Sequence, residues 1–324
     1  MGKKCTIIMY HYVRDLKCSR YPHIKGLDLK HFKEQLEFLQ SHYAIIRMED
    51  LLSALSGGDD LPDNAALLTF DDGYIDHYTM VFPMLNKLNL QGSFFPPSKI
   101  LKSHKLLDVN KIQFTLASSE VNQLFKSLLD KLDYYRGLEF TYPDTKALLV
   151  EYAVSNRYDC KEVAFIKYML QTVLPKNLRN MISDSLFKQF VNVDEAVFAK
   201  ELYCDVTQLS TMKRNGMFIG LHGCNHEWLG NMETAGYESD ISKALNYMDN
   251  ENLVSKKSWV MCYPYGSYCD GVINYINRNG CVAGLTTKVA MADLDKNNPF
   301  LLPRLDTNDF PPKSTNYKKF DKLT

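Results

Sequence analysis

Residues 65–73 read AALLTFDDG, an apolar run that ends in two adjacent carboxylates and a glycine. The apolar part, Ala65 to Phe70, predicts a buried strand because short apolar runs bounded by turn residues are typical of strands in a sheet interior. Successive side chains at a strand end diverge, so Asp71 and Asp72 can serve different tasks. One carboxylate could bind a metal ion while the other stays free as a base, and an ordinary Asp-Gly turn is the alternative.

A second polar cluster, HGCNH from His222 to His226, follows the apolar stretch Met217–Leu221. Two imidazoles four residues apart can converge on one metal ion when the segment turns helically. One aspartate and these two histidines would make a three-ligand site with positions left open, as catalytic zinc requires. A free carboxylate nearby could then act as the general base.

Strand and helix patterns alternate over the first hundred residues and again after residue 216. This alternation predicts parallel strands joined by crossover helices, and therefore an α/β domain built from residues 1–99 and 216–311. Residues 100–215 differ, because helical patterns dominate there and predict a helical insertion or cap. These patterns cover Val121–Leu132, Lys146–Val154, Val163–Val173 and Ile182–Phe190. The polar residues 312–324 form a tail.

Four motifs, in order along the chain, resemble those of the polysaccharide deacetylases with NodB homology (carbohydrate esterase family 4). Thr69–Gly73 is similar to the T-F-D-D-G signature of that family, and Gly92–Phe95 resembles its A-T-F-F strand. His222 and His226 fit its H-[ST]-x-x-H motif, and Tyr263–Gly266 resembles its P-Y-G turn. The agreement of several motifs in the same order makes the resemblance specific.

The resemblance covers residues 5–99 and 216–306 and implies a distorted (β/α)₇ barrel with its site at the carboxyl ends of the strands. It also implies that Asp71 is the general base and that the backbone N–H of Tyr265 helps to hold the oxyanion. The implied ligands of a divalent metal ion are Asp72, His222 and His226. Zinc suits this set best, and cobalt, nickel or iron would also be held.

Two departures from the family pattern concern residues near the metal motif and the base. Gly223 stands where the family has Ser or Thr after the first histidine. The arginine that orients the base in the family is missing, since Met261 and Cys262 precede the third motif. Arg304 is the candidate replacement from another strand end, and an ordinary surface arginine is the alternative.

A third departure concerns the general acid, because no histidine follows His226 and the family's C-terminal L-x-H motif is absent. Poly-N-acetylglucosamine deacetylases carry a Tyr-His pair near the N-terminus, which Tyr10 and His11 resemble. We therefore predict that His11 protonates the leaving amine, with a buried structural histidine as the alternative. Trp228 could stack on a sugar ring or pack in the core. The remaining histidines are expected on helix surfaces or in loops: His23, His31, His42, His77 and His104.

Composition narrows the class of protein. The chain has 324 residues, 45% hydrophobic and 23% charged, and its 38 basic residues balance its 38 acidic ones. This composition predicts a soluble globular protein without a global basic field for nucleic acid or anionic membranes. We find no signal peptide and no apolar run near the roughly 18 residues of a membrane span. We therefore expect a cytoplasmic location, with the eight cysteines as free thiols.

These observations predict a metal-dependent deacetylase that hydrolyses the N-acetyl group of a sugar. A cytoplasmic location would favour a nucleotide- or lipid-linked sugar, or another precursor of a surface glycan. The alternatives are an amidohydrolase acting on another acyl group or a non-sugar amide, and a glycan-binding protein with a decayed site. If the insertion caps the site, Tyr134, Tyr135 and Tyr152 are candidate substrate contacts, whereas a structural or homo-oligomerisation role is equally compatible with the sequence.

Overall fold

The computed structural model describes residues 4–137, 139–156 and 159–320. Within these residues the chain forms two compact units. Unit 1 contains residues 4–15, 26–104 and 199–320, and unit 2 contains the described residues of 16–25 and 105–198.

Unit 1 is built on a sheet of mainly parallel strands, which confirms the predicted α/β class. Its strands are β1 (Lys4–Tyr10), β2 (Val13–Arg14), β3 (Leu27–Asp28), β4 (Ala44–Ile45), β5 (Ala65–Asp71), β6 (Ser93–Phe95), β7 (Phe218–Ile219), β8 (Trp259–Cys262), β9 (Cys281–Leu285), β10 (Ala292–Asp293) and β11 (Leu305–Asp306). β1 pairs in parallel with β5 and β11, β5 also with β4 and β6, and β6 with β7. β8 pairs in parallel with β9, β2 with β3, and β10 is antiparallel to β1.

Two isolated parallel bridges connect the β8–β9 pair to the larger sheet. Leu221, just beyond β7, bridges to Met261 of β8. Leu285 of β9 bridges to Leu302, just before β11. Since β11 pairs with β1, the pairing can be followed from β1 through β5, β6, β7, β8 and β9 and back to β1.

The described helices are α1 (Leu29–His42), α2 (Met48–Leu55), α3 (Phe82–Lys87), α4 (Ser98–Lys102), α5 (Asp108–Ala117), α6 (Val121–Tyr135), α7 (Thr145–Tyr152), α8 (Lys161–Tyr168), α9 (Lys176–Phe190), α10 (Glu195–Leu202), α11 (Val206–Arg214), α12 (Thr234–Asn250) and α13 (Asp270–Arg278). They include the four stretches predicted within residues 100–215, with different ends, and also α5, α10 and α11, which were not predicted. A π-helical turn, His77–Val81, leads into α3. Among the described helices, none combines the length and apolar character that a membrane crossing requires.

The core of unit 1 explains how the strand ends become buried. Every residue of β5 is buried. On one side α1 contributes an apolar face that includes Phe32, Leu36 and Leu39, and the carboxylate of Asp28 caps its first turn by accepting the Lys30 N–H at 2.9 Å. Because β5 is covered in this way, the carboxylates at its end lie out of bulk water.

Unit 2 is helical and has its own apolar core. On α6 the residues Leu124, Leu128 and Leu132 repeat every four positions and are fully buried. Residues 16–25 belong to this unit, although nothing in the sequence indicated it; Lys25 lies 2.7 Å from a carboxylate oxygen of Asp159. Residues 100–104 and 199–215, which we assigned to the insertion, cluster with unit 1. A role as a cap stays a prediction, as do the substrate contacts proposed for Tyr134, Tyr135 and Tyr152.

Candidate active site

Asp71, the last residue of β5, is 1% exposed and forms a two-pronged ion pair with Arg304. Arg304 donates from Nη1 to Oδ1 at 2.9 Å and from Nη2 to Oδ2 at 2.7 Å. Its Nε donates to the carbonyl of Thr286 at 2.9 Å, and its Nη1 also donates to the hydroxyl of Thr69 at 3.1 Å. Arg304 is itself 1% exposed, so the structure places it beside Asp71 and not on the surface.

The charge of Arg304 decides the ionisation of Asp71. Burial acts to raise the pKa of this carboxyl group, but the facing guanidinium and its hydrogen bonds lower the pKa to about 2. Asp71 is therefore a carboxylate at neutral pH, as a general base must be. Cys262, which stands where the family's arginine is expected, donates a weak hydrogen bond from Sγ to Asp71 Oδ1 at 3.4 Å.

Asp72 points away from its neighbour and toward two imidazoles. Its Oδ1 lies 3.4 Å from Nε2 of His222 and 3.2 Å from Nε2 of His226. The three ligand atoms lie within 4.8 Å of one another and all three side chains are buried. Within the described residues, this Oδ1 accepts no hydrogen bond. Buried polar atoms normally have a partner, so the arrangement fits a cation held by these three residues.

The surroundings of His222 and Asp72 fix their orientation and the charge of Asp72. His222 donates from Nδ1 to the carbonyl of Cys262 at 2.6 Å, and this bond directs Nε2 toward Asp72. Burial acts to raise the pKa of Asp72, but the facing histidines hold it well below its usual value. Asp72 has a left-handed backbone, with a φ of 73°, so that its side chain diverges from Asp71.

Tyr74 fixes the other oxygen of Asp72, and the sequence analysis missed it. Its hydroxyl donates to Asp72 Oδ2 at 2.7 Å, and its ring is fully buried. The ring stacks on Tyr12, with centroids 3.9 Å apart and planes inclined by 18°. A tyrosine two residues after Asp72 was the only available sequence signal.

Asp240 of α12 holds the loop between the two histidines, and it too was missed. This residue is 3% exposed. Its Oδ2 accepts the Cys224 N–H at 2.7 Å, and its Oδ1 accepts the backbone and side-chain N–H groups of Asn225 at 3.0 and 2.8 Å. A charged residue between the apolar Tyr237 and Ile241 of this helix could have indicated a buried partner.

Gly223 meets a steric limit set by the same carboxylate. Its φ is +68°, and a Cβ at this position would lie 2.8 Å from Asp240 Oδ2. The left-handed backbone and the close approach of Asp240 therefore both favour glycine where the family motif has Ser or Thr.

We expect the substitution Gly223→Ser to lower the free energy of unfolding by more than about 2 kcal/mol, because a left-handed backbone costs a side chain about 1–2 kcal/mol and the clash adds to it. Gly57→Ser is the matched control, since Gly57 has a φ of +84° with open space around a Cβ. Urea unfolding measures both variants. Equal losses in the two variants would contradict the proposed contact with Asp240.

Tyr265 and Trp228 form an aromatic pair beside His226. Their rings are nearly parallel, with centroids 4.3 Å apart and an angle of 4°. The Tyr265 ring also meets His226 edge-on at 4.5 Å. Tyr265 has a φ of 57° within the turn Pro264–Gly266. Trp228 is half-buried, so it is not simply part of the core.

His11 lies just beyond β1, with its Nε2 3.9 Å from Asp71 Oδ2 and its side chain 41% exposed. The structure therefore brings His11 close to Asp71 and does not bury it. The predicted catalytic residues and metal ligands all belong to unit 1, namely His11, Asp71, Asp72, His222, His226, Tyr265 and Arg304.

The prediction for His77 was wrong. Its imidazole is buried, with 1% of the residue exposed, because the π-helical turn that begins there directs the ring inward against Phe70 and Phe94. His31 is half-buried, and the remaining histidines assigned to the surface are exposed, namely His23, His42 and His104.

The fold and the site define a class: α/β proteins with a candidate metal centre at the carboxyl ends of parallel strands. The sequence model of the family described as polysaccharide deacetylase matches residues 185–284. A poly-beta-1,6-N-acetyl-D-glucosamine N-deacetylase of Escherichia coli (strain K12) is 43% identical over 91 residues, which is 28% of this chain and 13% of that protein. The putative polysaccharide deacetylase YxkH of Bacillus subtilis (strain 168) is 27% identical over 103 residues, covering 32% of this chain and 34% of YxkH.

Solved structures with the same fold extend over nearly the whole chain. The Streptococcus pyogenes deacetylase PplD, in complex with acetate, superposes with a TM-score of 0.58 at 16% identity and covers 98% of both chains. IcaB from Ammonifex degensii gives a TM-score of 0.55 at 15% identity, over 94% of this chain and 92% of IcaB. The partial match to the family model, the two curated relatives and the shared fold all indicate a polysaccharide deacetylase with NodB homology, in agreement with the resemblance found in the sequence. It spans only a small part of the length of the curated relatives that it matches.

Proposed function

We propose that this protein is a metal-dependent carbohydrate N-deacetylase. The observation that carries the proposal is the separation of two adjacent carboxylates into different surroundings. Asp71 is ionised and held by Arg304, whereas Asp72 turns an unpaired oxygen toward two imidazoles. A binding protein with a decayed site would need no base beside its metal ligands.

Asp72, His222 and His226 would hold the metal ion, and zinc is the ion that this set of donors suits best, with cobalt, nickel or iron as alternatives. A divalent ion there supplies Lewis acidity that polarises the acetyl carbonyl. Because Tyr74 holds one oxygen of Asp72 and Cys262 holds Nδ1 of His222, the ligands are oriented before the ion binds.

The chain's own residues account for the proton transfers of amide hydrolysis. Asp71 accepts a proton from the water whose oxygen attacks the acetyl carbon. The backbone N–H of Tyr265 donates to the oxyanion that forms. As the C–N bond breaks, His11 gives a proton to the leaving nitrogen, so that the products are acetate and a free amine. Arg304 keeps Asp71 charged and oriented without entering the proton transfer.

We also propose that unit 1 is a distorted (β/α)₇ barrel. The two bridges at Leu221 and Leu285 support it, because they extend the strand pairing into a circuit that returns to β1. A barrel would collect the ends of β1, β5, β8 and β11, or the segments that follow them, around one centre.

The proposed substrate is an N-acetylated sugar within a glycan or a glycan precursor. The stacked pair of Trp228 and Tyr265 beside His226 supports a sugar, because flat aromatic faces pack well against apolar ring faces. The name of the E. coli relative suggests β-1,6-linked N-acetylglucosamine as the first substrate to test. A cytoplasmic location and nucleotide- or lipid-linked precursors stay predictions.

The test measures bound metal and released acetate on the same preparation. We expect one divalent ion per chain, acetate release from N-acetylglucosamine oligomers or UDP-N-acetylglucosamine, and loss of activity with a chelator that added zinc restores. Asp72→Asn should weaken zinc affinity by about 10-fold or more, whereas Asp63→Asn, an exposed control, should not.

Three outcomes separate the alternatives. Release of a different acyl group or turnover of a non-sugar amide would favour the broader amidohydrolase. Glycan binding without turnover would favour a decayed site. A protein that binds no divalent ion under any condition would contradict the proposal.

A further inference from the structure

His77 is a buried histidine that the mechanism above does not use. Its imidazole packs against the stacked rings of Phe70 and Phe94, with centroids 5.6 Å away in each case. Nε2 lies 2.8 Å from the backbone carbonyl oxygen of His11. Because a carbonyl only accepts hydrogen bonds, Nε2 carries the proton and donates it. Nδ1 has no hydrogen-bond partner among the described residues, so this single bond compensates for burying the ring.

The hydrogen bond from His77 reaches the chain just beyond the last residue of β1 that pairs with β5. The register between β1 and β5 ends at Tyr10 and Phe70, and His11 is the next residue. The side chain of His11 is 41% exposed, and its closest charged neighbour, Asp71, is 3.9 Å away. The imidazole is therefore not held in the core, and its direction depends on the backbone at His11.

Two further contacts join the same two segments. Tyr12 stacks on Tyr74 at 3.9 Å, and Arg14 pairs with Asp76 at 2.7 Å. The segment after β1 and the segment after Gly73 are therefore connected by these three contacts, and the His77 bond is the one that lies nearest to the end of β1 in sequence. Since Tyr74 also holds Asp72, these contacts link the acid to the metal ligands.

We propose that His77 is a positioning residue for His11: through the His11 carbonyl it fixes the backbone that directs the His11 imidazole toward Asp71 and the leaving nitrogen. The inference rests on the proposed deacetylase function for the role of His11. It makes a structural claim as well, which can be tested without any substrate.

The test compares His77→Phe, which keeps an aromatic ring in the pocket but removes the donor, with His77→Gln, which keeps an N–H donor. His31→Phe is the matched control, because His31 is a half-buried histidine on α1 outside the site. Each variant is assayed on an N-acetylated glucosamine oligomer and on 4-nitrophenyl acetate. The phenolate of the ester leaves without taking up a proton, whereas the amine must be protonated as it leaves.

We expect His77→Phe to reduce kcat on the amide by about 10-fold or more, less than the roughly 10²- to 10⁴-fold effect of removing a general acid itself, and to leave kcat on the ester and zinc affinity within about twofold. His77→Gln should recover part of the amide activity, and His31→Phe should match the wild type. Equal losses on amide and ester, or unchanged amide turnover in His77→Phe, would overturn the positioning role.

A crystal structure of His77→Phe distinguishes failure of this inference from failure of the proposed function. We expect the His11 imidazole to move away from Asp71. An unmoved imidazole would overturn the inference whatever the activity. A wild-type protein that hydrolyses neither substrate would instead contradict the proposed function, and the position of the His11 imidazole would still decide the structural claim.

Discussion

Replacing Asp71 by asparagine is expected to lower kcat for N-acetyl hydrolysis by about 10²- to 10⁴-fold, the range for loss of a general base. Asparagine has the same size but cannot accept the proton of the attacking water. Zinc affinity should stay near the wild-type value, because the ligands are Asp72, His222 and His226. Acetate release and zinc titration measure the two effects, and Asp72→Asn should show loss of both.

This substitution also leaves Arg304 buried beside a neutral group, so the variant loses stability as well as its base. The double variant Asp71→Asn/Arg304→Met removes the unpaired charge and should recover much of the stability but none of the activity. Turnover within tenfold of wild type in Asp71→Asn would show that another group serves as the base.

The site residues that could be predicted from the sequence are those that directly follow an apolar strand pattern. The apolar run that ends at Phe70 is visible in the sequence, and so is the polar pair after it. The same is true of the stretch before His222. In both cases the strand's burial and the position of its end follow from local pattern, and proximity between the strand ends follows from parallel pairing.

The partners that orient these groups could not be predicted, because their positions depend on tertiary packing. Asp240 lies on a helix and reaches a loop 15 residues earlier in the chain, and Arg304 reaches Asp71 across 233 residues. Arg304 was a candidate only through the family pattern. For His77 the cause was local: a π-helical turn rotates side chains relative to an α-helix and brings inward a residue expected on the surface.

The extent of unit 2 likewise could not be predicted in full from the sequence, because it depends on tertiary contacts. Its helices follow from apolar repeats such as that of α6. The inclusion of residues 16–25 depends on contacts such as that between Lys25 and Asp159, which are 134 residues apart. Charged pairs of this separation carry no periodic signal in the sequence.

The substitution Arg304→Met should have the largest effect on stability, about 3–5 kcal/mol of the free energy of unfolding at pH 7, the typical cost of breaking a buried ion pair by removing one partner. In the wild type the folded pKa of Asp71 is about 2, below its value of about 3.9 in an unfolded chain. Asp71 therefore contributes stability above pH 4, and that contribution is lost as the pH falls through 2. Without the guanidinium, burial dominates and raises the pKa of Asp71 above its unfolded value, so the carboxyl group destabilises the variant at neutral pH.

The sign of the pH dependence follows from these two shifts. Folding of the variant takes up a proton, so its stability rises as the pH is lowered toward the unfolded pKa, while that of the wild type begins to fall below pH 4. The difference between the two proteins should thus be largest near pH 7 and smallest near pH 3. In the variant, activity should begin to fall at a higher pH than in the wild type as the solution is acidified, because Asp71 must be ionised to accept a proton. Urea unfolding from pH 3 to 8 measures the first effect and acetate release the second, with the exposed Arg278→Met as a control expected to stay within about 0.5 kcal/mol of wild type. A loss below about 1 kcal/mol at pH 7, or a loss that does not change with pH, would mean that Arg304 does not determine the charge of Asp71.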